Sequence, residues 1–375
     1  MIQILTGAAI FDGQQMLHDH ALLVENGLIE AIVPETQAPQ GPQLTLPGGT
    51  LAPGLIDLQV NGGDGIMVDG AVDVPRLARI CAAHARLGAT GILPTLITDT
   101  PDATAAVIAA GVAAARARTP GFLGLHLEGP HLDPRRHGAH DPSLFRPMTT
   151  ADLSRLCAAA ADLPALMVTL APAAASPAQI AQLTGAGVVV SLGHAECTHD
   201  QAQAAIEAGA RCATHLFNAM SQLANREPGL VGAVLGGHIH AGLIADGLHV
   251  HPATLRIALA ARDDGLFLVS DAMAVAGTDL TTFTLGGRTI HRQNLRLTLS
   301  DGTLAGADLS LPQAIAYLIR TLGIAPDRAL AMATRIPADL INSRAGRLHP
   351  GLPADIVHLD AAWALQRVWR EGRLL

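Results

Sequence analysis

The chain has no lysine; all 24 cationic side chains among its 375 residues are arginine. That absence excludes P-loop nucleotide sites, which require a lysine after the glycines. It excludes Schiff-base catalysis, which requires an amine nucleophile, and any metal pair bridged by a carbamylated lysine. Cysteine is scarce: Cys81, Cys157, Cys197 and Cys212 form no C-x-x-C pair and read as reduced, mostly buried thiols of a cytoplasmic protein. No basic stripe accompanies the formal net charge of -8, which argues against nucleic acid as a partner. No run approaches the roughly 18 apolar residues that span a bilayer, so no membrane partner is expected. The opening MIQILTGAAIFDGQQ has neither the cationic start nor the cleavage site of a secretion signal.

What the chain does contain is apolar side chains, 49% of the total, in repeated short runs. LIDLQV (55–60), TGILPTLI (90–97), FLGLHLE (122–128), ALMVTLA (165–171), VVVSLGH (188–194), CATHLFN (212–218), AGLIADG (241–247) and LFLVSDA (266–272) read as eight strands. Alanine- and leucine-rich stretches with helical spacing separate most of them, such as 74–88 and 200–210, with Gly88 and Gly209 at C-cap positions and Thr198 or Asp200 as an N-cap. The connection 219–240 is glycine-rich and irregular. Eight β-then-α units predict a (β/α)8 barrel, with a doubly wound open sheet as the rival. Residues 1–50 and 346–375 instead carry short alternating runs, with DG and NG hairpin signals in the first of them. They predict a small β-sandwich domain built from both chain ends, flanking a catalytic barrel over 51–345.

In such a barrel the C-terminal strand ends converge on one mouth. The predicted strands deliver Gln59 and Asn61, Glu128, His194, His215 and Asn218, Asp246 and His249, and Asp271 to those ends. One carboxylate and two imidazoles, Glu128, His194 and His215, suit a catalytic divalent metal with an open position. Asp271 is the candidate acceptor for a water proton. The competing reading is a hydrogen-bonded polar plug in the barrel. His126 reads as a packed, hydrogen-bonded residue, His131 and His137 as loop residues, and His199, His238, His240 and His251 carry no assignment.

These motifs resemble the N-acetylglucosamine-6-phosphate deacetylases of the amidohydrolase superfamily. The resemblance rests on PGLIDLQVNG (53–62), LHLEGPHLDPRRHGAH (125–140), SLGHAECT (191–198), THLFNAMSQLANREPGLVGA (214–233), GLIADGLHV (242–250), LVSDAMAVAG (268–277) and DGTLAGADLSL (301–311), and it covers nearly the whole chain. It implies one divalent metal ion per subunit, with zinc the first choice, bound by Glu128, His194 and His215. It also implies Asp271 as base and then acid, and His140 polarising the acetamide carbonyl. Asn218 and Ala219 would touch the sugar, Arg226 and His249 the phosphate, and Ala139, Ala305, Gly306 and Ala307 would close the pocket. Where many amidohydrolases place His-x-His, this chain has Gln59-Val60-Asn61, which favours a single tight metal over two. The expected reaction is deacetylation of N-acetyl-D-glucosamine 6-phosphate. The alternatives are the galacto epimer and a non-catalytic sugar-phosphate sensor with a structural metal. The resemblance also implies a homodimer or homotetramer.

Overall fold

All eight apolar runs form parallel strands in the computed structural model, which describes residues 2–375. They are β1 Leu55–Val60, β2 Ala89–Ile97, β3 Leu125–Glu128, β4 Leu166–Leu170, β5 Val189–Leu192, β6 Cys212–Ala213, β7 His240–Leu243 and β8 Leu266–Leu268. Each pairs with its neighbours in chain order, and a parallel bridge between Val60 and Ala272 joins the first segment to the last. The sheet therefore closes on itself, as the barrel reading requires and an open doubly wound sheet does not. Every residue of β1 and β4 is buried, as parallel strands covered on both faces must be. Each fully buried leucine, isoleucine or valine contributes about 1.5–3 kcal/mol of transfer free energy.

Local chemistry places the helices. The helix Val74–Arg86 starts where the Asp73 carboxylate accepts the Arg76 N–H at 2.9 Å. His199–Glu207 starts in a capping box: Thr198 Oγ1 accepts the Gln201 N–H, and Gln201 Oε1 accepts the Thr198 N–H. Thr198, not Asp200, is the cap. The irregular 219–240 connection contains one short helix, Gly229–Gly236.

The barrel interior is not wholly apolar. His126 Nδ1–H donates to the Leu58 carbonyl at 3.0 Å, so its Nε2 accepts from the Thr169 hydroxyl at 2.7 Å. Thr214 continues the hydroxyl chain to Ser191, through contacts of 2.6 Å each. This network runs from mid-strand His126 up to Thr169, level with Glu128, and Thr214, next to His215.

The two chain ends build paired sheets. One runs in the order 28–34, 20–25, 3–6, 43–45; the other runs 373–374, 365–370, 356–359, 50–53, 9–11, 16–17. Leu5, Ile10, Leu22, Ile29, Leu51, Ile356 and Trp369 fill the space between them. The NG signal is Asn26-Gly27, with φ of 52° and 82°, joining two antiparallel strands. A further antiparallel sheet of four strands, Thr282–Leu285, Arg288–Gln293, Arg296–Thr298 and Leu304–Ala307, interrupts the path from β8 to the helix Leu311–Leu322. The strand-and-helix reading of the sequence did not include it. Its apolar face packs on Met273 and Val275, just past β8.

Candidate active site at the barrel mouth

Glu128 is the last residue of β3, held in register between Ile97 of β2 and Thr169 of β4. The other polar residues lie beyond their ladders. His194, His215 and Asp271 take φ of 46°, 30° and 50°, in the left-handed region that non-glycine residues avoid. Phe217 and Ala219 do the same, at 78° and 49°. Past the two residues of β6, Thr214 N–H still donates to the Leu192 carbonyl and Leu216 N–H to the Gly242 carbonyl, which holds this turning segment at the barrel rim. Such strain at several strand ends around one mouth marks a site whose geometry the surrounding packing imposes.

The imposed geometry is convergent. Glu128 Oε1 lies 3.2 Å from His194 Nε2 and 3.0 Å from His215 Nε2, and the two ring nitrogens are 3.1 Å apart. One ligand atom from each residue falls within 4.8 Å of the others, and all three side chains are buried. Two observations test whether the trio fits a metal. His194 Nδ1–H donates to the Arg136 carbonyl at 2.8 Å, which leaves the Nε2 lone pair free to ligate. Three buried electron-pair donors also crowd one point with no protein cation between them. Burial would raise the Glu128 pKa, but its hydrogen bonds to His194 and His215 and the charge of His215 hold it well below the usual carboxylate range. Burial would likewise lower His215, but the contact with Glu128 outweighs it and raises the imidazole pKa. A metal ion would take the place of that proton. The trio fits a divalent cation.

Around it lies a cavity of about 260 Å³ whose lining includes Asn61, Ala139, His140, Asn218, Ala219, His249, Asp271 and Gly306. His140 Nε2 is 3.9 Å from Glu128 Oε2. Its Nδ1 accepts the Thr98 backbone N–H at 3.3 Å, so the neutral ring carries its proton on Nε2. Burial, aided by the nearby His194, pushes the His140 pKa down to about 3 and keeps it neutral. The result is a hydrogen-bond donor without charge, suited to polarising a carbonyl. Burial and then the charge of Glu128 push Asp271 up to about 6, close to the operating range of a general base. His249 Nδ1–H donates to Asp246 at 2.6 Å. Asp246 also accepts the backbone N–H groups of Leu248 and His249, so one carboxylate fixes both the turn and that imidazole.

The cavity does not gather every expected residue. Arg226 is exposed on the 222–227 loop and does not line it. Glu227 secures that loop by accepting the N–H groups of His199 and Gly229 at 2.7 and 3.0 Å. Ala305 is fully buried in the small core under the inserted sheet, and Ala307 meets the site through its N–H, which donates to the Asp271 carbonyl at 2.9 Å. Several contributors were not identified from sequence: Thr98 behind His140, Asp246 as the clamp on His249, and Asp57. Asp57 sits fully buried in β1, accepting N–H bonds from Gln59 and Ser270, and burial pushes its pKa to about 7. A carboxylate in the middle of LIDLQV was its visible signal.

The amidohydrolase family model matches residues 50–373, and the NagA composite domain model matches residues 4–49. The chain is 36% identical over 378 residues to an N-acetylgalactosamine-6-phosphate deacetylase of Shewanella sp. (strain ANA-3), covering 99% of this chain and 95% of that one. It is 31% identical over 360 residues to an N-acetylglucosamine-6-phosphate deacetylase of Haemophilus influenzae, covering 94% and 93%. The crystal structure of N-acetylglucosamine-6-phosphate deacetylase from Pasteurella multocida superposes with a TM-score of 0.96 at 31% identity over 100% of both chains. With its closed barrel, its buried Glu-His-His trio and these likenesses, the chain belongs to the amidohydrolase family.

Proposed function

We propose that the chain hydrolyses the N-acetyl group of N-acetyl-D-glucosamine 6-phosphate, giving D-glucosamine 6-phosphate and acetate. The observation that carries this reading is the convergence of Glu128, His194 and His215 with a raised-pKa carboxylate, Asp271, on one cavity. The names of the relatives supply the substrate class. A divalent metal such as zinc, bound by Glu128, His194 and His215, would supply a Lewis acid that polarises the acetamide and acidifies water.

The chain's own residues do the rest. His140 Nε2–H donates to the carbonyl oxygen and stabilises the charge that develops there. Asp271 takes a proton from the attacking water as the new C–O bond forms. It then passes that proton to the amide nitrogen as the C–N bond breaks, and amine and acetate leave. Asn218 has its Nδ2 tied to the carbonyls of His215 and Leu216, which presents its Oδ1 for a sugar hydroxyl. His249, clamped by Asp246, faces the cavity for the phosphate.

A second reading, the galacto epimer, is favoured by the relatives at 36% and 34% identity that carry that name. The two sugars differ at one hydroxyl, and a site that hydrogen-bonds it can discriminate strongly. Side-by-side kcat/KM on the two 6-phosphates, with metal content measured, decides between them. Turnover of neither would overturn both. We propose a cytoplasmic location, in keeping with its four free cysteines, and a homodimer or homotetramer as its assembly. Among the described residues no helix is long and apolar enough to cross a membrane.

A further inference from the structure

Asn61 stands at the seam where the barrel closes. Its N–H donates to the Ala272 carbonyl at 2.8 Å, and its own carbonyl accepts the Val68 N–H at 2.9 Å, so its backbone is fixed to the segment that carries Asp271. The residue is 1% exposed, and Nδ2 donates to Asp271 Oδ1 at 2.7 Å. The orientation follows from chemistry, because a reversed amide would set its oxygen against an ionised carboxylate. The arrangement leaves Asn61 Oδ1 buried with no partner. Buried polar atoms are nearly always paired, and an exception asks for a reason. Gln59, two residues earlier, behaves alike: its Nε2 lies 3.3 Å from each oxygen of Glu128.

We propose that Asn61 is a positioning residue for proton transfer rather than a metal ligand. By donating to Oδ1 it keeps a proton off that oxygen. The proton taken from water therefore goes to Oδ2, which has no hydrogen-bond partner among the described residues and belongs to a side chain lining the cavity. The amide thus fixes both the rotation of the carboxylate and the oxygen that works. This rests on Asp271 being the base of the proposed reaction.

The test uses the zinc-loaded protein with Asn61→Leu and Asn61→Ala, neither of which has a donor. The expected result in both is a kcat reduced on the order of 10- to 100-fold, as loss of a hydrogen bond to a charged group implies. KM should stay within about twofold and zinc at one ion per chain. Loss of zinc, or a fall carried by KM alone, overturns the proposal. A crystal structure of the zinc-loaded wild type decides it independently of turnover. Asn61 at hydrogen-bond distance from Asp271 and away from the ion supports the proposal, and an Asn61 oxygen on the ion refutes it. If the wild type deacetylates neither sugar phosphate, the functional reading falls, while the diffraction result still decides whether Asn61 binds Asp271 or the ion.

Discussion

Asp271→Asn isolates the proton carrier from everything around it. Asparagine matches aspartate in shape, and its side-chain oxygen can still accept the Asn61 N–H that now meets Oδ1 at 2.7 Å. The metal trio, the cavity and the Ala307 N–H on the 271 carbonyl are unaffected. What disappears is a carboxylate raised to about 6 by burial and by Glu128. A positioned acid or base contributes roughly 10²–10⁴ in rate. Asp271 serves twice, taking the proton and delivering it, so the upper end applies. The expected loss in kcat is about 10⁴, or about 5.4 kcal/mol in the barrier at roughly 1.36 kcal/mol per decade. Acetate release at saturating substrate measures it, while metal analysis and binding titrations should match wild type. Turnover within about tenfold of wild type would remove Asp271 from the mechanism. In wild type, activity should fall as pH drops through about 6 or somewhat lower, since a cation beside Asp271 favours its ionised form. The stability effect has the opposite sense. A carboxyl raised in the folded state favours folding at low pH and loses that contribution as pH rises from 3.8 through about 6. Metal-free Asp271→Asn should therefore gain thermal stability relative to wild type between pH 4 and 7.

Removing metal with a chelator should abolish turnover while leaving the barrel folded, with activity restored by zinc. Chelation that unfolds a protein unable to cleave any acyl substrate would instead favour a structural metal. Glu128→Gln should lower bound metal from one ion per chain to near zero, measured by elemental analysis after dialysis. Asp246→Ala leaves His249 Nδ1 and two backbone N–H groups without their acceptor. It should raise KM on the order of tenfold with a smaller change in kcat, read from steady-state kinetics. Gly306→Ala puts a Cβ 2.5 Å from Met273 Cγ and 2.8 Å from the Asp271 carbonyl oxygen, at φ +70°. It should lower both the unfolding midpoint and kcat, and a variant with wild-type values of both would refute the steric argument.

Eight strands were legible because parallel strands buried on both faces leave apolar runs, which neither loops nor amphipathic helices imitate. Glu128, His194, His215 and Asp271 were legible because chemistry-bearing residues close those runs. The left-handed turns that aim three of them were not, since nothing in a histidine or aspartate announces positive φ. The inserted sheet shows the same limit. Its first hairpin turns at Gly286-Gly287, a readable signal, but its second turns at Asn294-Leu295 with φ of 53° and 60°, and leucine hides a left-handed turn. Arg226 marks a different limit. A motif assigns it to phosphate, and within one chain the loop that Glu227 tethers leaves it exposed and outside the cavity lining.

The rung between Val60 and Ala272 has a consequence for how the enzyme comes into being. The donor on Asn61 and the carboxylate it restrains are separated by 210 positions in the chain. Until those two segments meet, the base has no donor to orient it, whatever the state of the metal trio on the intervening strands. Recovery of catalysis after refolding should therefore lag behind recovery of metal uptake, and the interval between the two would time the closing of the ring.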